Sequence, residues 1–334
     1  MRDTANRFDF LRLLFAGLVA LYHAVYLSGI NRDGMWENTL ARAAELSIQG
    51  FFIISGALVL GSLINSEKTS LYAEKRIRRL YPAYVVVILV PALIALFVSA
   101  NAQGVFAYVL PNLLFLNFIE PTLPGLFENY AGIVNGALWT LKIEVMFYIA
   151  LPVIWWFIRK PGKLSTAVWI ALFLGAEIWR QFFIHFDHEY SAQLARQLPG
   201  QMGYFACGML LSQHMYRLAN PRFWWPVVAT AVVVLTFRIP ELHILRPPAL
   251  TLLIAYVAFA AGPKLSAARF GDLSYGVYIT HFPIIQACIL LGIFANPAAG
   301  LVVSLGLTMM ASYALWHLVE KPALLPSSHY RRAA

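Results

Sequence analysis

Apolar stretches separated by short polar ones repeat along the whole chain. The apolar windows fall at 10–30, 46–65, 81–100, 138–158, 164–184, 200–216, 223–237, 247–262, 271–291 and 298–318. Most are close to the ~20 residues an α-helix needs to cross a hydrocarbon core. The pattern predicts an all-α integral membrane protein, a bundle of about ten transmembrane helices, which places both termini on one side. The first window is followed by nine more rather than by a small-residue cleavage site, so it reads as a retained helix and not a signal peptide. The shorter stretch 105–118, "VFAYVLPNLLFLNF", is interrupted by Pro111 and Asn112 and followed by "EPTLPG". It is expected to be interfacial or re-entrant rather than a span.

Composition agrees with the pattern. Of 334 residues, 60% are hydrophobic and 12% charged, a balance that one soluble core of this length does not hide. With a cytoplasmic N-terminus, eighteen of the 25 Lys and Arg residues fall in inner segments and six in outer ones, which supports ten helices with both ends inside. The net charge of +9 is then accounted for by topology and the lipid bilayer, with no nucleic-acid partner required. Cys207 and Cys288 both lie in apolar runs, so neither a disulfide framework nor a metal site is expected. No repeat or hydrophilic block interrupts the pattern. The reading is one transmembrane domain over 1–334, with a helical core of about 8–320 and no appended soluble domain.

Four stretches carry polar groups where apolar ones belong. In "FDFLRLLFAGLVALYH", residues 8–23, Arg12 and His23 are 11 apart, which returns them to within about 20° of one helix face and roughly 16 Å apart along the axis. Charged groups at depth face a polar cavity or a partner. The bland alternatives are a snorkelling Arg12 paired with Asp9, and a His23 bonded to backbone. In "EKRIRRLYPAY", residues 74–84, Arg76 and Arg79 are three apart on a cytoplasmic loop, just before a helix with Pro82 in its first turn. The spacing suits paired guanidinium forks on phosphate, or simple topology anchors.

In "ALWTLKIEVMFYIALP", residues 137–152, Trp139 belongs at an interface, and Glu144 lies more than a turn deeper, at roughly the depth of His23. A carboxylate and an imidazole at one depth are the parts of an acid–base pair, or else a structural contact. Lys142, nearly opposite Glu144, is read as a snorkelling lysine. In "LSYGVYITHFP", residues 273–283, His281 falls near mid-membrane with Ser274, Tyr275 and Tyr278 on neighbouring turns. These line the same cavity or pack structurally.

Together with "FFIISGALV" and the closing "VEKP", these motifs resemble, in order and over nearly the whole chain, those of the membrane-bound acyltransferase-3 family. The resemblance implies a ten-helix, multi-pass enzyme of the bacterial inner membrane. Such an enzyme takes an acyl group, usually acetyl, from cytoplasmic acyl-CoA to a hydroxyl, usually on a sugar at the outer face. It implies catalysis by His23 and Glu144 and donor binding by Arg12, Arg76 and Arg79; Asp9, Trp139, Tyr275, Tyr278 and His281 are candidates, on the reading of the sequence itself, to line the cavity. Acyl-CoA, most often acetyl-CoA, is then a co-substrate, no cofactor is tightly bound, and the acceptor is a carbohydrate or glycolipid.

His23 can act as general base on the acceptor hydroxyl or as a nucleophile forming an acyl-imidazole. A proton-coupled transporter built on the same Arg, His and Glu groups is the alternative from another class. Residues that would read a sugar are Trp36, Asn129, Tyr130, Arg180 and the run His185 to Tyr190, although plain loop chemistry explains them equally well.

Overall fold

The structure, a computed structural model, describes residues 7–30, 34–127, 132–186, 188–218, 222–263, 265, 271–328 and 331. Among these it is helical, with no strand beyond two isolated bridges, Thr122 to Ile133 and Leu123 to Leu126. The helices are α1 (Phe8–Ser28), α2 (Met35–Ile64), α3 (Thr69–Ser99), α4 (Ala102–Leu113), α5 (Trp139–Ile158) and α6 (Lys163–His185), then α7 (Ser191–Ala195), α8 (Leu198–Leu218), α9 (Trp225–Thr236), α10 (Arg246–Phe259), α11 (Leu273–Leu290) and α12 (Pro297–Leu315).

Every apolar window of the sequence coincides with a helix. Eight helices among the described residues are long and apolar enough to cross a membrane. The windows at 200–216 and 223–237 are α8 and α9, and α9 has only 12 residues, about 18 Å of rise. The short stretch at 105–118 is α4, also 12 residues and too short to span hydrocarbon.

At two places the helices differ from the sequence expectation. The basic run 74–84 is not a loop before a helix: α3 begins at Thr69 and runs through it, so Pro82 lies inside the helix, as does Pro91. A proline there removes one backbone hydrogen bond, a loss that membrane helices tolerate when neighbouring groups satisfy the freed backbone. Nearby, the Tyr275 hydroxyl donates to the Leu80 carbonyl over 2.9 Å. Likewise Arg180 is not a loop residue but sits within α6, bonded to Glu177 at 2.8 Å.

The chain forms two compact units. The first comprises 1–11, 48–73 and 143–265, the second 12–47, 74–142 and 266–334. In the first, α6 packs on α8, and α10 on α8 and α9. Phe52 and Phe147 both stack against Phe205, at 4.8 and 4.0 Å between ring centroids. Gly208 permits that approach, since a Cβ there would stand 2.0 Å from the Ile53 carbonyl oxygen. Arg7 closes the C-terminal end of α10, donating to the carbonyls of Val257, Ala260 and Pro263 at 2.7, 2.8 and 3.0 Å, where the helix leaves acceptors unpaired.

In the second unit α11 packs on α12. Ser304, Thr308 and Ser312, four residues apart, are all buried and return their hydroxyls to backbone carbonyls of their own helix. Small side chains of this kind let two helix backbones approach closely. The result is that α11 is buried on all sides from Leu273 to Phe282, so each polar group there needs a partner.

Candidate functional site

The second unit gathers most of the residues singled out in the sequence, around two carboxylates that were not. Asp272 immediately precedes α11 and is buried. Its Oδ2 accepts from Arg12 at 2.7 Å and from Arg79 at 2.6 Å, and its Oδ1 accepts from Ser274 at 2.7 Å. Two guanidiniums and a hydroxyl thus surround the buried carboxylate and favour its charged form.

Arg79 also donates to Glu320, which lies at the end of a π-helical turn, Trp316–Glu320, that extends α12. This widened turn directs both Trp316 and Glu320 inward, where both are buried. The Arg79 guanidinium lies over the rings of Tyr275 and Trp316, 5.4 and 5.7 Å from their centroids. Gly271 sits under Trp316 with φ of +104°, a left-handed conformation that favours glycine, and a Cβ would meet the indole at 2.3 Å.

Two cations and two anions thus neutralise one another where an isolated charge would be costly. Arg76 is half-buried and Arg78 exposed on the same helix, Arg78 pairing with Glu74 at 2.7 Å.

Further along α1, His23 meets His281: Nδ1 of the first lies 2.8 Å from Nε2 of the second. The two imidazoles are nearly parallel, at 19°, and the edge of Phe282 closes on His23 at 5.2 Å. His281 is fully buried, and its Nδ1 is 3.0 Å from the Val277 carbonyl one turn back. Tyr278, which packs edge-on to His281, shares a 2.8 Å hydrogen bond with Thr140 at the start of α5. Trp139, the first residue of α5, is half-buried. Just before it, Asn135 donates to the Ile279 carbonyl at 2.8 Å, tying this end of α5 to α11. Lys142 lies over the Phe118 ring at 4.6 Å, a cation–π contact in place of free snorkelling.

Glu144 belongs to the first unit. It is half-buried, and its Oε1 accepts from Ser55 at 3.0 Å and from the Tyr148 hydroxyl. Tyr148 is tied in turn through its carbonyl, which accepts from the Tyr72 hydroxyl at 3.0 Å. The carboxylate is therefore oriented by two hydroxyl donors. Asp9 is half-buried in the same unit.

A second polar cluster there was not read from the sequence. His243 Nδ1 is 3.0 Å from Glu177 Oε2, its Nε2 is 3.2 Å from the Tyr204 hydroxyl, and Gln181 donates to Glu177 at 2.6 Å. It knits α6, α8 and the turn 240–245 together. Of the residues proposed to read a sugar, Trp36 is exposed on α2, while Asn129 and Tyr130 lie outside the described residues, as does Asp187. No group of three or more His, Cys, Asp or Glu side chains is placed to hold a metal ion among the described residues, and both cysteines are free and buried.

Fold and site together define an all-α, multi-pass membrane protein in which Arg12 and Arg79 pair with the buried carboxylates Asp272 and Glu320. The chain belongs to the acyltransferase-3 family: residues 6–317 match the family described as an acyltransferase domain, as the order of motifs indicated. Among curated proteins it is 28% identical to "Nodulation protein 10" of Rhizobium leguminosarum bv. viciae, covering 96% of this chain and 93% of that protein. It is 26% identical to an "O-acetyl transferase" of Shigella phage Sf6, covering 97% of each. A third relative, "Acyltransferase MdmB" of Streptomyces mycarofaciens, is 22% identical over 72% of this chain and 68% of that protein. No solved structure matches. The protein is accordingly a membrane acyltransferase.

Proposed function

We propose that this acyltransferase moves an acetyl group from cytoplasmic acyl-CoA to a hydroxyl of a carbohydrate or glycolipid at the outer face of a bacterial inner membrane. In this reading the chain crosses the membrane ten times with both ends in the cytoplasm. The observation that carries the proposal is α1 itself. It sets Arg12, at the inner end, and His23, about 16 Å further along, on one face, and His23 Nε2 forms no hydrogen bond among the described residues.

Arg76 and Arg79 stand at the donor end, where the nucleotide phosphates of CoA enter. Arg79 is anchored there by two carboxylates. At the thioester, His23 Nε2 takes the proton of the acceptor hydroxyl as that oxygen attacks the carbonyl carbon. The C–S bond then breaks and the CoA thiolate leaves with the proton returned by His23. Alternatively, Nε2 attacks first and passes the acyl group on. Glu144, with two hydroxyls fixing its orientation, is the second group this reading requires for transfer. The O-acetyl transferase name of one relative supports the acetyl and hydroxyl assignments.

The test is release of free CoA thiol by the purified protein in lipid nanodiscs supplied with acetyl-CoA and surface glycan, together with the mass of the product. An acceptor-dependent thiol signal and a gain of one acetyl mass are expected. Absence of thiol release, with proton-coupled uptake in proteoliposomes, would overturn the reading in favour of a transporter.

A further inference from the structure

We infer that His281 is the positioning residue of this centre: it holds His23 in the Nδ1–H tautomer, leaving Nε2 as the ring nitrogen with the lone pair. The inference rests on the reading of His23 as the group that does the chemistry. It comes from following the protons along α11 and across to α1.

The Val277 carbonyl can only accept, so the His281 nitrogen facing it, Nδ1, carries a proton. A neutral His281 then has its lone pair on Nε2. That atom faces His23 Nδ1 at 2.8 Å, and two lone pairs at that separation repel. His23 Nδ1 therefore carries the proton, and Nε2 is bare. The other protonation pattern needs a positive charge on His281, which is fully buried and bonded to a carbonyl and a second imidazole rather than to a carboxylate. An uncompensated charge in such a place is disfavoured. A neutral imidazole in water prefers the opposite tautomer, with the proton on Nε2. The contact with His281 thus selects the form that free histidine populates less.

The surroundings make the selection firm. His281 sits on the stretch of α11 that is buried on every side, braced by Tyr278, whose hydroxyl is tied to Thr140. The Phe282 edge at 73° to His23 blocks rotation of that imidazole. Whether Nε2 takes a proton or an acyl group, the His23 ring becomes positively charged, and the Nδ1–H bond to His281 becomes charge-assisted and stronger. His281 thus orients His23 before the reaction and stabilises it during the reaction, without touching the substrate. In other systems a carboxylate fixes a catalytic imidazole in this way; here the acceptor is a second imidazole.

The first test reads the tautomer directly. Protein labelled with 15N only at histidine is placed in nanodiscs, and the His23 ring signals are assigned by their loss in His23→Ala. A protonated Nδ1 and a bare Nε2 are expected at neutral pH, and His281→Phe should move His23 towards the Nε2–H form. A wild-type His23 protonated on Nε2 overturns the inference, and this measurement stands even where a variant folds poorly.

The second test is kinetic. His281→Phe should lower turnover on the order of a hundredfold, within the range of general-base contributions, with the apparent constant for acetyl-CoA unchanged within about twofold. His281→Gln, whose Oε1 can accept in place of the ring nitrogen, should recover about tenfold of that loss. Equal turnover in the Phe and Gln variants, or wild-type turnover in the Phe variant, overturns the inference. His23→Ala measured in parallel separates the two readings. An active His23→Ala removes the catalytic assignment itself, whereas an inactive His23→Ala beside a fully active His281→Phe removes only the role of His281.

Discussion

Arg79 Nη2 and Asp272 Oδ2 lie 2.6 Å apart across 193 residues of sequence. Asp272 binds Arg12 through the same oxygen, so this one carboxylate joins α1, α3 and the start of α11. Asp272→Ala leaves two guanidiniums in a buried place with a counter-ion removed, a change that typically costs about 3–5 kcal/mol. A fall in melting temperature is expected, read by a thiol-reactive dye that reports exposure of the buried Cys207 and Cys288. A variant that melts with the parent would show that the two arginines find other partners.

His23→Ala should abolish acyl transfer while the protein still inserts and accumulates. The side chain is only half-buried, and its removal leaves the packing of α1 largely intact. General acid–base groups contribute about 10²–10⁴ in rate, and a nucleophile more. Retention of most turnover, measured as CoA thiol release, would return His23 to a structural role.

Glu144→Gln separates charge from hydrogen bonding. Oε1 of the amide still accepts from Ser55 and Tyr148, so the melting temperature should stay near that of the parent. Activity should nonetheless fall severely, because an amide does not accept a proton as a carboxylate does. Near-normal activity would make Glu144 a structural contact.

The two arginines of α3 should respond differently to lysine. Arg76→Lys keeps the charge but loses the planar fork. A charge-assisted hydrogen bond is worth roughly 1.5–3 kcal/mol, so its loss should raise the apparent acyl-CoA constant by about tenfold. Arg79→Lys cannot reproduce the fork that bonds both Asp272 and Glu320, and thermal stability should fall. Insertion should be normal in both, since the positive-inside rule counts Lys and Arg alike. Donor affinity equal to the parent in Arg76→Lys would leave that residue a topology anchor.

Reporter fusions placed after Lys163 and after Arg332 should read cytoplasmic, and one near Asn117 extracytoplasmic, if the uneven distribution of Lys and Arg sets the orientation. A cytoplasmic signal near Asn117 would change the count of crossings from that point onward.

The helices were legible in the order of residues alone. Apolar length is a local property, and each window from 10–30 to 298–318 coincides with one. That order also places Arg12 and His23 on one face, because the 3.6-residue period of a single helix relates them. Where α3 begins was not determined, because the polar run 69–80 has no apolar signature of its own and is helical as the continuation of the span above it.

The partners of the polar groups emerge from packing. Asp272 reads in the sequence as an ordinary residue ahead of an apolar run, and Glu320 as part of a terminal motif. They become counter-ions of Arg79 across 193 and 241 residues, as His281 becomes the partner of His23 across 258. No periodicity links residues so far apart. A buried charge is costly unless it is paired, so any carboxylate bordering an apolar window was a candidate. Which carboxylate meets which cation is settled by how α1, α3, α11 and α12 pack, and there burial, not sequence order, chooses the pairs.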